Sequence, residues 1–219
     1  PKNLVEIDGL PLVQRVVDIA VSAVLLLLAG PLIAVLALAI KLDSPGPAFY
    51  RCRRVGLRGR ALHMLKFRKM HDGASGPALS SPDDVRFTRL GSFLARTKLD
   101  ELPQLWNVLK GEMSLVGPRP EDPAFVELRS DAYSTILEVR PGITGLSQLA
   151  FASETEVLDA DDRMGHYLNR ILPQKIGMDR LYATQRTVGM DVKVLWWTAR
   201  AVIGGKDVGK SALVNALVG

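Results

Sequence analysis

The sequence predicts a mainly α-helical domain with a small β element and one apolar membrane helix near the N-terminus. Three observations predict this class. Residues 19–40 carry no charged side chain. Apolar residues recur at helical spacing within 85–96 and again within 191–203. Apolar and polar residues alternate over 61–68, which is typical of a short strand.

Length and charge limit the kind of protein this can be. The 219 residues suit one domain, or one domain with a membrane anchor. The net charge of +5 indicates an anionic partner, which could be nucleic acid, an acidic membrane surface or a phosphorylated substrate. Cys52 is the only cysteine, which excludes an internal disulfide. The three histidines lie far apart and lack the spacing of zinc ligands.

The uncharged segment at 19–40 is long enough for a helix to cross about 30 Å of hydrocarbon. It is too long for the apolar part of a secretory signal, and no small-residue cleavage site follows it. Gly30-Pro31 lies in its middle, and a proline must bend or break the helix there. Two shapes stay open from the residues alone, a kinked span and a helix that re-enters on the same side.

A basic run follows the apolar segment and places its C-terminal end on the cytoplasmic side. Two uses of this run stay open, a patch facing lipid headgroups and a set of phosphate ligands. The predicted strand leads to Lys66 and Arg68. Nucleic-acid binding is disfavoured, since few aromatic residues are interleaved and no recognition helix is evident. The run contains no acidic residue and eight cationic ones: Arg51, Arg53, Arg54, Arg58, Arg60, Lys66, Arg68 and Lys69.

The segment 98–120 carries the residues best suited to chemistry. Asp100 and Glu101 stand side by side at the start of an amphipathic helix. A carboxylate pair can attack a phosphoryl group or hold Mg²⁺ against it. Arg119, fixed between Pro118 and Pro120, can grip phosphate oxygens with its planar fork. Asp100 could also serve as the N-cap of the helix, and both roles are compatible.

Two further segments have weaker signals. The turn at 140–148 contains two glycines and a proline, so its amides could face a phosphate, with Arg140 and Thr144 as candidate ligands. Residues 204–211 satisfy G-x-x-x-x-G-K-S, which indicates a nucleotide-binding P-loop. A predicted helix rather than a strand precedes that pattern, so we expect no such site. In that helix, Trp196 and Trp197 suit either a membrane interface or the core.

These segments, in this order, resemble the motifs of the bacterial polyprenyl-phosphate phosphoglycosyl transferases, which are monotopic membrane enzymes. The resemblance covers about 15–203. It implies a re-entrant helix-break-helix hairpin over 15–42 with its break at Gly30-Pro31, and a catalytic core at 43–203 with interfacial amphipathic helices. All of this belongs to one domain over 1–219, in which the tail at 204–219 has no assigned role. The family commonly has Ser-Pro at the break.

The resemblance also implies an activity. A sugar 1-phosphate would move from a nucleotide sugar to undecaprenyl phosphate. The expected donor is a UDP-sugar, so UMP would leave. Asp100 would form a phospho-sugar intermediate and hold Mg²⁺, and Glu101 would assist. The implied phosphate or nucleotide ligands are Arg119, Lys66, Arg68, Arg140 and Thr144.

The resemblance further implies where the protein works and with what. The location would be the bacterial inner membrane, with the site on its cytoplasmic face among membrane lipids. A homodimer is an open alternative, and nucleic acid is not an expected partner. Two other classes remain as alternatives, a non-catalytic membrane-bound binding module and a P-loop nucleotide-binding protein.

Overall fold

The computed structural model describes residues 6–7, 10–77, 79–81, 83–152 and 162–204 of the chain. The tail at 205–219 lies outside these residues, and with it all but the first residue of the G-x-x-x-x-G-K-S segment. The described part is mostly helical and contains short two-stranded sheets. The expected mainly α-helical class with a small β element is therefore confirmed.

The elements follow one another in chain order. The helices are α1 (Leu12–Asp43), α2 (Arg89–Thr97), α3 (Gln104–Lys110), α4 (Pro123–Leu128), α5 (Ser130–Ile136), α6 (Leu146–Ala150), α7 (Arg163–His166), α8 (Leu172–Gln185) and α9 (Val188–Gly204). The strands are β1 (Glu6–Ile7), β2 (Leu10–Pro11), β3 (Phe49–Val55), β4 (Ala61–Phe67), β5 (Ser114–Val116) and β6 (Gly142–Thr144). Single turns of 3-10 helix at Leu57–Gly59 and Leu99–Glu101 and of π-helix at Tyr167–Ile171 complete the described elements.

The strands pair locally. β1 with β2 and β3 with β4 form antiparallel hairpins, whereas β5 and β6 run parallel. The β3–β4 hairpin, α3 and β5 pack with α6, α8 and α9 around one apolar cluster. This cluster fixes the relative positions of β4, α3 and β5, which adjoin the candidate site residues, because its buried side chains come from all three.

The long helix α1 is apolar and long enough to cross a membrane by its length and composition. It is one continuous helix with Pro31 inside it. Most of its aliphatic side chains are exposed, for example Leu27, Leu28 and Leu42. A helix with so many exposed aliphatic side chains is typical of membrane association. Two separate helices joined at Gly30-Pro31 are not seen, so the re-entrant shape stays a prediction.

The N-terminal half of α1 is anchored to the core by polar side chains. Arg15 donates two hydrogen bonds, at 2.6 and 2.8 Å, to carbonyl oxygens in the last turn of α3, where the helix dipole favours a cation. Asp18 is buried and accepts from the Ser114 hydroxyl at 2.7 Å and the Leu115 amide at 3.0 Å. Both contacts tie α1 to elements that lie about a hundred residues later.

The C-terminal half of α1 packs in a second apolar cluster, to which β4 also contributes. Leu36 and Ile40 are buried in an apolar cluster with Phe67 of β4 and Leu94 of α2. Buried positions at both ends of α1 and half-buried positions between them recur every three or four residues, so one stripe of the helix faces the rest of the protein. Both ends of α1 therefore contact the same body of the protein.

The helix predicted at 85–96 begins later than expected, at Arg89. Phe87 bridges to Met70 in an antiparallel pair, which holds the preceding residues extended. Thr88 then caps α2, since its side chain accepts from the Gly91 amide at 2.9 Å. The long-range bridge, which local spacing cannot reveal, determines where the helix starts.

Helix α9 matches the predicted helix but faces the core differently. The predicted apolar stripe includes Val192 and Trp196, and both are exposed, Trp196 by 66%. The face packed on the core instead contains Val194, which is fully buried, and Trp197. Trp197 therefore packs on the core, whereas an interfacial position for Trp196 stays a prediction. Trp106 of α3 is 54% exposed.

Candidate active site

Asp100 and Glu101 lie in the 3-10 turn Leu99–Glu101, between α2 and α3. Lys98 has a left-handed backbone (φ 59°), which ends α2 and turns the chain into this short element. Helix α3 then starts after Pro103 without a side-chain cap. Asp100 is therefore not the N-cap of α3, and this alternative from the sequence is wrong because an extra turn intervenes. The side chains of Asp100 and Glu101 instead form ion pairs with basic residues.

Cations from three segments surround the two carboxylates. Lys66 Nζ at the end of β4 lies 2.9 Å from Glu101 Oε1, and Arg119 Nη2 lies 3.7 Å from the same oxygen. Lys69 Nζ lies 3.4 Å from Asp100 Oδ2. Asp100 itself is 2% exposed. The structure thus brings together Asp100, Glu101, Lys66 and Arg119, as the sequence predicts, and adds Lys69.

The charge state of Glu101 is fixed by its neighbours. Burial by itself raises the pKa of Glu101, but the charges of Lys66, Arg119 and Lys98 outweigh burial and bring the pKa to about 2. Burial lowers the pKa of Lys69, and the negative charge of Asp100 offsets part of this effect. A carboxylate that is ionised at neutral pH can hold Lys66 and Arg119 in place for an anionic ligand.

Arg119 is presented by a segment that is held on both sides. The carbonyl oxygen of Pro118 accepts from the Gly142 amide at 2.9 Å, and that of Glu121 accepts from the Val55 amide at 3.0 Å. Proline on each side of Arg119 fixes the neighbouring φ angles. The guanidinium is therefore carried on a backbone with little freedom, as predicted, although the strands that hold it could not be named from sequence.

A buried polar cluster lies behind Arg119, and sequence reasoning missed it. The Glu121 carboxylate lies 3.3 Å from Lys175 Nζ and accepts from the Tyr167 hydroxyl at 3.3 Å. Lys175 also donates to that hydroxyl at 3.2 Å. Asp179, one turn after Lys175, is buried in the same region. Nothing in the local pattern of α8 marks these residues, because their partners lie about fifty residues earlier.

Replacing Asp179 by Asn is expected to stabilise the protein at pH 8. Burial raises the pKa of Asp179 to about 7, and Ser147 and Lys175 offset only part of that effect. An unfolded Asp titrates near 3.9, so the stability linked to the protonated side chain is fully present below about pH 4 and is lost as pH rises through 7. Asn cannot ionise and avoids this loss, which we expect to be about 2 kcal/mol or more at pH 8.

Thermal unfolding of wild type and Asp179→Asn at pH 4 and pH 8 measures this difference. We expect similar midpoints at pH 4 and a higher midpoint for the variant at pH 8. A variant that is less stable than wild type at pH 8 would show that Asp179 is ionised and stabilising in the folded protein.

Arg68 is placed away from the carboxylates. Its guanidinium is buried and donates to the carbonyl oxygens of Ser44, at 2.8 Å, and of Pro45. These carbonyls lie just beyond the end of α1, where cations are favoured. Arg68 therefore fixes the end of α1, and its position gives no support to its predicted role as a phosphate ligand.

Arg140 and Thr144 also lie outside the carboxylate cluster. Arg140 Nε donates to the Gly111 carbonyl at 2.7 Å, and the Thr144 hydroxyl lies 2.7 Å from that of Thr198 in α9. The expected phosphate-binding turn is the short strand β6, in which the Gly142 amide is already bonded to Pro118. These residues hold the scaffold of the site, and their assignment as ligands has no support from their positions.

Asn107 of α3 is a second residue missed from sequence. Its side chain accepts from the Leu65 amide at 2.9 Å and donates to the His63 carbonyl at 3.0 Å, so it pairs with the outer edge of β4. It also donates to Glu112 at 2.7 Å. This buried amide ties β4 to α3, and it therefore sets the distance between Lys66 and Glu101.

The donor set can be tested for Mg²⁺. The described residues contain no group of three or more His, Cys, Asp or Glu side chains that could hold a metal ion. Mg²⁺ is usually held by one or two carboxylates together with waters and substrate phosphates. Asp100 fits such a site as a protein ligand, whereas Glu101 is engaged by Lys66 and Arg119. The residues fit Mg²⁺ provided that the phosphate oxygens of a substrate complete its coordination.

The arrangement can perform one kind of chemistry well. A buried carboxylate is placed beside three cationic groups that can bind the oxygens of a phosphate or diphosphate. Such a carboxylate can act as a nucleophile towards phosphorus while the cations neutralise the charge of the transferring group. The site therefore suits phosphoryl transfer.

Three relatives are similar to most of this chain. It is 38% identical over 196 residues to a UDP-glucose:undecaprenyl-phosphate glucose-1-phosphate transferase of Caulobacter vibrioides, which covers 87% of this chain and 69% of the relative. It is 37% identical over 210 residues to a protein of the same name from Xanthomonas campestris pv. campestris, with coverages of 92% and 41%. The third is a UDP-N-acetylgalactosamine-undecaprenyl-phosphate N-acetylgalactosaminephosphotransferase of Aeromonas hydrophila, 36% identical over 200 residues, with coverages of 88% and 44%.

The chain spans less than half the length of the second and third of these relatives. The profile of the family described as bacterial sugar transferase matches residues 10–205, which include α1, the carboxylate pair and the segment of Arg119. The chain therefore belongs to the bacterial sugar transferase family of enzymes.

Proposed function

We propose that this protein transfers a sugar 1-phosphate from a UDP-sugar to undecaprenyl phosphate and releases UMP. The observation that carries the proposal is the buried Asp100 carboxylate, which contacts Lys69 and stands next to Glu101, itself paired with Lys66 and Arg119. The names of the relatives support the proposal, since each includes a UDP-sugar and undecaprenyl phosphate. The name of the first also specifies glucose 1-phosphate as the transferred group. The relatives differ in the sugar, so the sugar is left open.

The reaction proceeds in two displacements at one phosphorus atom. In the first, an Asp100 oxygen bonds to the phosphorus that carries the sugar, and the bond from that phosphorus to UMP breaks with its electron pair going to UMP. In the second, an oxygen of undecaprenyl phosphate bonds to the same phosphorus and the bond to Asp100 breaks. Arg119 and Lys66 hold phosphate oxygens in both steps, and Glu101 keeps these two cations aligned.

Mg²⁺ belongs to this proposal as a cofactor held by Asp100 and the substrate. When bound, it would neutralise the diphosphate charge and help UMP to leave. The low exposure of Asp100 supports the exclusion of water from the attacking oxygen. Water would otherwise hydrolyse the intermediate.

The membrane arrangement is also part of the proposal. We place α1 in the cytoplasmic leaflet of the bacterial inner membrane as a re-entrant helix that bends at Gly30-Pro31. Its two ends contact the same body of the protein, Asp18 at β5 and Ile40 in the cluster with Phe67 of β4, which supports entry and exit on one side. The exposed Val192 and Trp196 of α9 support an interfacial position for that helix. The site would then lie at headgroup level, where a water-soluble nucleotide sugar and a lipid phosphate can meet.

The test is UMP release by the purified protein in nanodiscs with Mg²⁺ and undecaprenyl phosphate. UDP-glucose, UDP-N-acetylgalactosamine and other UDP-sugars are supplied one at a time. We expect release with at least one donor, dependence on the lipid phosphate for sustained turnover, and loss of activity with EDTA. Absence of UMP with every donor would overturn the proposed function. Turnover that is indifferent to EDTA would remove Mg²⁺ from it.

A further inference from the structure

Among the cations that the structure describes, Lys69 is the one paired with Asp100. Its Nζ lies 3.4 Å from Asp100 Oδ2, whereas Lys66 and Arg119 are both paired with Glu101. The Asp100 side chain is almost completely buried, so this contact is little screened by water. The ammonium group therefore sits on one oxygen of the carboxylate and leaves the other oxygen to attack.

A hydrogen bond, a β-bridge and close packing of α2 hold the backbone of Lys69 in place. The Thr88 amide donates to the Lys69 carbonyl at 3.1 Å, and Met70 bridges to Phe87. The side chain passes near the Phe87 ring, with Nζ 5.7 Å from its centroid. Helix α2 approaches so closely at Gly91 that a Cβ there would lie 1.8 Å from the Lys69 carbonyl oxygen. A surface lysine in chance contact would not be restrained in this way.

The contact affects the two displacements of the proposed function to different extents. In the first, the carboxylate gives up its negative charge as its oxygen bonds to phosphorus. In the second, the electron pair of the breaking bond returns to the carboxylate, whose negative charge is restored. A cation on the second oxygen stabilises the charged carboxylate, so it favours the departure of Asp100 and does nothing to favour its attack.

We propose that Lys69 is a further catalytic residue, one that assists the second displacement by holding the charge that returns to Asp100. In the intermediate, Oδ2 is the carbonyl oxygen of the aspartyl phosphate, and the ammonium group donates to it. This polarisation makes the aspartate a better leaving group when the lipid phosphate attacks. The inference rests on the proposed function, because it assigns a role within that two-step reaction.

The test separates the two half-reactions in wild type and Lys69→Met. A UDP-sugar that supports turnover is first mixed with the protein without lipid, and UMP and the protein mass are followed. Undecaprenyl phosphate is then added, and the loss of the mass of the sugar phosphate adduct is timed. We expect formation of the adduct to change by less than about 3-fold and its discharge to slow by about 10-fold or more. During steady turnover the adduct should accumulate in the variant.

Three further variants complete the experiment. Lys69→Arg retains the charge and should restore most of the discharge rate. Lys69→Gln is a second neutral variant and should behave as Lys69→Met does. If one of the two variants folds poorly, the other still tests the proposal. Lys110→Met removes an exposed lysine paired with Glu112 and should leave both rates unchanged.

Equal slowing of both half-reactions, or slowing of formation alone, would overturn the role of Lys69. A wild-type protein that releases UMP only with lipid and never gains the adduct mass would overturn the two-step mechanism, and the inference would fail with it. A wild-type protein that forms the adduct, together with neutral variants that discharge it normally, would leave the proposed function standing and reject this inference alone.

Discussion

Replacing Asp100 by Asn is expected to lower turnover by at least about 10³-fold, because the amide nitrogen and oxygen cannot replace an ionised carboxylate as a nucleophile towards phosphorus. The side chain keeps its size, and the 3-10 turn that carries it depends on backbone hydrogen bonds from the Glu101 and Leu102 amides. The fold and the membrane association should therefore be retained. The measurement is UMP release in nanodiscs, with the protein mass followed in parallel.

A matched control is available on α5. Asp131→Asn makes the same change at an exposed acidic residue that lies outside the cation cluster, and its turnover should equal that of wild type. The Asp100→Asn protein should bind to nanodiscs as well as the control does and should gain no sugar phosphate mass. Retention of one tenth or more of wild-type turnover would exclude Asp100 as the nucleophile.

Replacing Gly91 by Ala is expected to cost about 3 kcal/mol of stability or more. A Cβ at this position would lie 1.8 Å from the carbonyl oxygen and 2.6 Å from the carbonyl carbon of Lys69. These are backbone atoms held by the Thr88 amide, so they cannot move aside as the end of a flexible side chain can. Helix α2 would have to shift away from the segment that carries Lys69. We expect a melting temperature lower by roughly 10 °C.

The same substitution elsewhere should have the opposite effect. Gly177 lies in the interior of α8, is exposed, and has no atom within 4 Å of an added Cβ. Ala is favoured over Gly in a helix, so Gly177→Ala should raise stability by about 0.5 to 1 kcal/mol. Thermal unfolding of both variants in the same detergent gives the comparison. A Gly91→Ala protein as stable as wild type would mean that α2 can move without cost.

The local sequence pattern was sufficient to predict the elements in which apolar side chains recur at a regular spacing. The uncharged run of α1 and the alternation of β4 follow from periodicity, since each needs only the spacing of apolar residues. The pairing of Asp100 with Glu101 and the position of Arg119 between two prolines are likewise visible in the sequence. These features are local, and they locate the chemistry of the site before any fold is known.

The basic run shows what a local sequence pattern cannot predict, namely which partner each cation meets. Lys66 and Arg68 share one face of an extended strand, so the alternation assigns them the same environment. The strand ends at Phe67, and Arg68 turns to the end of α1 while Lys66 stays with Glu101. Lys69, which the alternation does not single out, reaches Asp100. The end of a strand depends on its partners, which are distant in sequence.

The sequence by itself determined the membrane helix, the carboxylate pair and the rigid arginine, because each depends on residue types within one short segment. Only the tertiary structure decided which cations meet those carboxylates, and that Glu121 and Lys175 support the segment of Arg119 from behind. It also decided that Arg140 and Thr144 serve the scaffold. The reason is physical: these contacts join residues that lie from about twenty to more than fifty positions apart, and the packing of the folded chain fixes them.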